Sequence, residues 1–260
     1  MGIISDWKEI YKYREFLKNS VSKDLRTRYK GSFLGFLWTF LNPLLMLVVY
    51  SILFSFVLRM DVKDYPVFLF CTLLPWNFFV SSVQVSSSII VSSSNLIKKI
   101  YFPLETLPLS VVLASCANYL LSIVILVPAM TIFGYYPNIN YLWFPLILFC
   151  QIILTMGLSF LVSCLTVYFR DLEHMIGIFL MALFYLTPVL YPITMVPEEY
   201  RYIFHWNPMS VIITSYRDIF YYNKTPDLYL LTIVLLFSIV CLILFQYIFK
   251  KLKFRFIEEI

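Results

Sequence analysis

Glycine is scarce, with only Gly2, Gly31, Gly35, Gly134, Gly157 and Gly177 in 260 residues. No G-x-x-x-x-G-K-S/T loop can be written from glycines so placed, which excludes nucleotide binding through that device. Cysteine is equally sparse. Cys71, Cys116, Cys150, Cys164 and Cys241 stand singly in apolar stretches with no C-x-x-C spacing, so they read as small buried hydrophobes and not as a metal or redox site. Histidine is limited to His174 and His205. With no H-E-x-x-H, neither a metal centre nor a nucleophilic triad is indicated, and no catalytic residue is assigned. Charge is short as well: Asp, Glu, Lys and Arg make up 13% of the chain, about half the share of an ordinary soluble domain.

What fills the space is apolar. The chain is 61% hydrophobic with a mean hydropathy of +0.82. A bilayer-spanning helix needs about 20 largely apolar residues, and six stretches qualify: about 34–58, 67–94, 107–133, 142–168, 175–193 and 228–249. The expectation is an all-α integral membrane protein of six transmembrane helices, forming one membrane domain over 1–260. Residues 1–33 lack the apolar core and small-residue cleavage site of a secretory signal. Trp7, Ile10, Leu17 and Val21 recur there at helical spacing, apart from Lys8, Lys12, Lys18 and Glu15. That pattern predicts an amphipathic helix lying along the membrane surface.

Cation placement sets the expected orientation, because Lys and Arg favour cytoplasmic loops. With the N-terminus inside, fifteen cations fall on the inner side and five on the outer, so both termini are expected to be cytoplasmic. The run 208–222 is tempting as a further span. It is short, however, and would carry Arg217 and Asp218 into hydrocarbon at a cost of several kcal/mol. Residues 194–227 are therefore predicted to form outer re-entrant or interfacial helices, split at Asn207–Pro208 and placed to gate an exit. The adjacent pairs Arg170–Asp171 and Arg217–Asp218 read as neighbours that lower the cost of charge near the interface.

Aromatics reach 19%, and most suit lipid-facing packing or the headgroup belt. One face of the first span aligns Phe33, Phe36 and Phe40, while Tyr185 and Tyr191 flank Pro188 in the fifth. Such faces pack helices together or let a sugar chain slide along a conduit. The stretch "SSVQVSSSIIVSSSN" (81–95) carries eight serines on every side of its helix. These permit close helix approach, or they line a wet cavity. Gly31 and Gly35 form a G-x-x-x-G at the start of the first span, a signal for tight helix packing.

Five segments carry a resemblance: "KDLRTRYKGSFLGFLWTFLNPLL" (23–45), "LIKKIYFPLETLPLS" (96–110), "VYFRDLEH" (167–174), "YLTPVLYP" (185–192) and "WNPMSVIITSYRD" (206–218). In this order the chain resembles the membrane subunit of bacterial ABC-type polysaccharide exporters, the permeases for O-antigen, capsule and teichoic acid. The resemblance implies a homodimer in the bacterial cytoplasmic membrane, paired with two copies of an ATPase chain that binds ATP and Mg. It also implies a polyprenyl-diphosphate-linked polysaccharide as cargo, membrane lipid as surroundings, and no cofactor or nucleic acid bound by this chain. Asn95, Leu96, Lys98, Lys99, Tyr101 and Phe102 resemble a coupling helix that docks on the ATPase, with Arg170 and Asp171 as further contacts. Glu198, Trp206, Asn207, Pro208, Arg217 and Asp218 resemble gate helices.

The basic cluster Lys23, Arg26, Arg28 and Lys30 precedes the first span. It holds the N-terminus inside and attracts anionic lipid, at about 1 kcal/mol per cation. A second role is possible for it, since guanidinium forks grip the oxygens of a lipid-linked diphosphate. Two other functions share these features: a membrane-embedded transferase for the same lipid carrier, which needs a carboxylate cluster the chain lacks, and an exporter of small molecules.

Overall fold

The computed structural model describes residues 10–27, 37–57 and 62–256. The described residues are helical almost throughout and contain no strand. The helices are α1 (Arg14–Thr27), α2 (Trp38–Ser51, continued by a π-helical turn Ile52–Val57), α3 (Tyr65–Ser92), α4 (Ser94–Ile97) and α5 (Thr106–Ile132). They are followed by α6 (Phe144–Tyr168), α7 (Leu172–Tyr185), α8 (Glu198–Trp206), α9 (Pro208–Phe220) and α10 (Leu228–Leu252).

Among the described residues, four helical stretches are long and apolar enough to cross a membrane: Tyr65–Ser92, Thr106–Ile132, Ile139–Tyr168 and Leu228–Arg255. Their burial is unequal. The most apolar window, in α10, is only 17% buried, whereas that of α3 is 78% buried. A helix that is hydrophobic all round and still exposed needs an apolar solvent, so α10 presents itself to lipid. α3 is the hub, packed by α2, α5, α6, α7 and α9. Gly157 on α6 faces α10 so closely that a Cβ there would stand 3.1 Å from the Leu242 backbone.

The serines of α3 divide between the two roles open to them. Ser82, Ser86 and Ser87 are buried in helix packing, with Ser82 donating to the Phe78 carbonyl at 2.8 Å and Ser87 to that of Gln84 at 2.7 Å. Ser81 lines a cavity. Pro75 interrupts the same helix, and its carbonyl accepts a 2.7 Å hydrogen bond from Gln151 Nε2 of α6.

Two expectations need correction. The stretch 175–193 is helical only to Tyr185, after which residues 186–192 form turns and bends. Pro188 and Pro192 lack the N–H that a continuing helix requires. The apolar side of α1 does not simply face the bilayer. Ile10 is buried, Tyr13 and Phe16 pack into a protein cluster, and α1 lies against α5. Gly31 and Gly35 lie outside the described residues, so the close approach found is that of Gly157. The expected break in the 194–227 segment does fall at Asn207, between α8 and α9. There the Asn207 side chain caps α9 by accepting from Met209 N at 3.0 Å.

Candidate functional site

Two adjoining cavities flank one stripe of α3. The larger, about 710 Å³, lies between α2, α3 and α5. The smaller, about 350 Å³, lies between α2, α3 and α7. Met46, Asn77, Val80 and Gln84 border both. Asn77, Ser81 and Gln84 recur at the four- and three-residue steps that share one helix face. Across the larger cavity stands Asn118 of α5, whose amide oxygen and nitrogen are both buried without a hydrogen-bond partner among the described residues. The smaller cavity is lined by Tyr50, Trp76, Phe184 and Tyr185. One wall therefore offers amide donors and acceptors, and the other offers aromatic faces. Amide groups hydrogen-bond hydroxyls, and aromatic faces stack on the apolar faces of rings.

At one end of the bundle the broken segment 186–192 is held by a buried arginine. Arg217, only 2% exposed, donates to the carbonyls of Val189 at 2.8 Å and Tyr191 at 3.3 Å, and to Thr72 Oγ1 at 3.4 Å. Its guanidinium carbon sits 3.7 Å above the Phe68 ring. Thr72 Oγ1 itself donates to the Val189 carbonyl at 3.0 Å, and Tyr65 Oη to that of Leu190 at 2.9 Å. Asn207 Nδ2 reaches Thr187 Oγ1 at 3.0 Å. Non-helical backbone at membrane depth requires such partners, and α3 and α9 supply them.

Among the described residues Arg217 and Asp218 make no direct ion pair, although each favours the charged form of the other. Consecutive helix residues do not face each other. Arg217 turns into the core, while Asp218 pairs with Lys224 at 3.1 Å. Burial pushes the Asp218 carboxyl above its ordinary range, and Lys224 opposes the shift. Nearby, the Tyr135 hydroxyl donates to Asp64 at 3.0 Å, and burial followed by that bond raises its phenol. Asn140 Nδ2 donates to the Asn223 carbonyl at 3.0 Å. Residues around 64, 135–140 and 218–224 thus share this end. Trp206 is 83% exposed on α8, Pro208 begins α9, and Glu198 pairs with Arg201 at 3.2 Å.

The opposite end carries the short α4 and the loop after it. Asn95, Lys98 and Lys99 are exposed, Leu96 is half-buried, and Tyr101 is 82% exposed. Phe102 is the exception among the expected docking contacts. It is 4% exposed and its ring lies 4.7 Å from that of Phe16, so it anchors the loop internally. Arg170 and Asp171 are exposed in the turn between α6 and α7. Lys23 is exposed on α1. Arg28, Lys30, Phe33 and Phe36 lie outside the described residues, as do the side chains of Arg26 and Phe40. Tyr185 borders the smaller cavity, and Tyr191 donates its hydroxyl to the Tyr185 carbonyl at 2.8 Å.

Sequence reasoning did not single out Asn77, Asn118, Tyr50, Trp76 or Phe184. Their only signal is polarity or aromaticity at positions far apart in the chain, which folding brings together. Among the described residues no group of three His, Cys, Asp or Glu could hold a metal ion.

Residues 16–221 match the family model described as ABC-2 type transporter. The chain is 37% identical over 255 residues to the O-antigen export system permease protein RfbA of Myxococcus xanthus, covering 97% of this chain and 98% of that protein. It is 38% identical to the protein of the same name from Klebsiella pneumoniae, covering 91% and 92%. The polysialic acid transport protein KpsM of Escherichia coli is 23% identical, covering 75% and 77%.

Proposed function

The chain belongs to the ABC-2 type transporter family, and from that premise we propose that it is the membrane subunit of an ATP-driven exporter of an O-antigen-like polysaccharide. The observation that carries this reading is end-to-end similarity to O-antigen export permeases at 37–38% identity. The ATPase is a separate subunit in this family, in keeping with a chain that has no Gly-rich phosphate loop.

The finer reading is as follows. Two copies of the chain assemble with two copies of an ATPase that binds ATP and Mg. Counted with α2 and α7, the four long helices make six crossings, and the end carrying Lys98 and Lys253 faces the cytoplasm. The exposed Lys98–Tyr101 tip, with Arg170 and Asp171, meets the ATPase. A polyprenyl-diphosphate-linked glycan enters beside Lys23, Arg26, Arg28 and Lys30, whose cations suit its diphosphate. It then passes between the amide stripe Asn77–Ser81–Gln84 and the aromatic wall, where stacking is weakly directional and imposes no deep trap. Helices α8 and α9, with the segment that Arg217 holds, close the outer exit.

The test is export in cells lacking the chromosomal permease but supplied with the partner ATPase. The chain is expected to restore polysaccharide at the cell surface, and Asn118→Leu to reduce that signal tenfold with the protein still in the membrane. Surface polysaccharide that does not depend on the chain overturns the reading.

A further inference from the structure

The loop between α4 and α5 has a free tip and a clamped base. Ile100 and Tyr101 are 55% and 82% exposed. From Phe102 onward the chain turns inward, and three contacts fix it. Phe102 packs on Phe16 of α1. Thr106 Oγ1 and N both donate to the Pro103 carbonyl, at 2.6 Å and 3.0 Å, and start α5. The third is an ion pair across 148 residues: Lys253 Nζ lies 2.6 Å from Glu105 Oε1.

That pair is placed as a stability device would not be. Glu105 is 2% exposed, and its second oxygen, Oε2, is buried with no hydrogen-bond partner among the described residues. Withdrawing two charges from water costs several kcal/mol per ion, and the attraction returns this only when the remaining lone pairs are satisfied. An apolar pair of equal volume would hold the same elements together at no such cost. The loop base and the end of α10 already share an apolar cluster through Phe102, Leu107, Phe249 and Phe256, and what the ion pair adds is a fixed register between them. The end of α10 is itself rigid. Phe256 and Phe249 are fully buried with rings at 90° and 5.6 Å, and Tyr168 of α6 donates to the Leu252 carbonyl at 3.0 Å.

We propose that Glu105 and Lys253 form a strut that carries displacement of the exposed 98–101 tip into α10, and through Gly157 and Leu242 into α6. Without the strut, a push on the tip reaches α10 through the apolar cluster of Phe102, Leu107, Phe249 and Phe256, whose contacts impose no fixed register, and reaches the rest of the bundle through α3, α5 and α1. With it, the last helix moves with the loop base as one body. The strut is a positioning device, and it rests on the reading of the tip as the ATPase contact.

The experiment uses the full chain with its ATPase in membranes and reads three quantities: co-purification of the two subunits, ATP hydrolysis, and polysaccharide export. Glu105→Gln is near-isosteric and keeps a hydrogen bond to Lys253 without the charge. It is expected to leave co-purification intact and hydrolysis within twofold, while export per ATP falls at least tenfold. Lys253→Arg retains the charge and is expected to keep at least half of the export. The exchange Glu105→Lys with Lys253→Glu is expected to recover export that either single change loses.

Unchanged export per ATP in Glu105→Gln overturns the strut, and so does a loss of co-purification and hydrolysis in proportion to export, since that marks a merely structural pair. Failure of the docking reading shows differently: Lys98→Ala with Tyr101→Ala would then leave co-purification and hydrolysis at the level of the unaltered chain.

Discussion

Arg217 brings its guanidinium into the protein core, where no carboxylate among the described residues forms an ion pair with it. Its partners are carbonyl dipoles and the face of Phe68. Arg217→Met keeps the length of the stem but removes the charged donors to the carbonyls of Val189 and Tyr191, leaving Val189 with Thr72 alone. Hydrogen bonds from a charged donor contribute about 1.5–3 kcal/mol each, so a loss of about 3–5 kcal/mol is expected. It should appear as a lower melting temperature in detergent and as new protease cleavage within 186–192. Arg217→Lys is expected to recover only part, because an ammonium cannot span both carbonyls. Arg28 bears on a second residue-scale question. If guanidinium forks receive the diphosphate of the carrier, Arg28→Lys lowers export while insertion and ATPase pairing stay normal. If topology is the whole role of that cation, export is unchanged.

Among the elements, α6 and α10 meet at a glycine and α5 ends near another. Gly157 is constrained by space, since a Cβ would press on the Leu242 backbone at 3.1 Å. Gly134 is constrained by conformation, with φ +86° and nothing within 4 Å of its missing Cβ. Gly157→Val is expected to destabilise by about 1–3 kcal/mol through overpacking. Gly134→Ala is expected to cost about 1–2 kcal/mol through left-handed backbone strain. Thermal unfolding of each variant in the same detergent checks both. Only the first should also disturb export, because only the first shifts α10 against α6. The division of serines in α3 belongs to this scale too. Composition left close packing and cavity lining open, and neighbours decided it serine by serine.

Viewed as a whole molecule, the bundle has two chemically distinct ends. One gathers Asp64, Tyr135, Asn140 and Asn223. The other gathers Lys98, Lys99, Arg170, Lys250, Lys251 and Arg255. On the proposed orientation, with both termini in the cytoplasm, an impermeant maleimide added to intact cells is expected to label Asn223→Cys and to spare Lys98→Cys until the cells are opened. Four of the native cysteines are buried and Cys241 is half-buried, which keeps the background low. The reverse pattern would invert the orientation, and with it the placing of the ATPase contact.

The sequence alone determined that the chain is helical, belongs in lipid, and cannot bind nucleotide through a Gly-rich loop. Those properties follow from composition and from runs of apolar residues longer than a globular helix needs. It also located the break at Asn207–Pro208, because a capping side chain and a missing N–H act within a few residues. Tertiary structure decided what depends on who lies opposite. It turned Phe102 from a surface contact into an anchor and gave Arg217 and Asp218 different partners. It also assembled Asn77, Gln84 and Asn118 around one cavity and joined Glu105 to Lys253. The physical reason is range: helix propensity and hydrophobic run length are read along the chain, whereas burial and pairing are set by groups on other elements, as far as 148 residues away for Glu105 and Lys253.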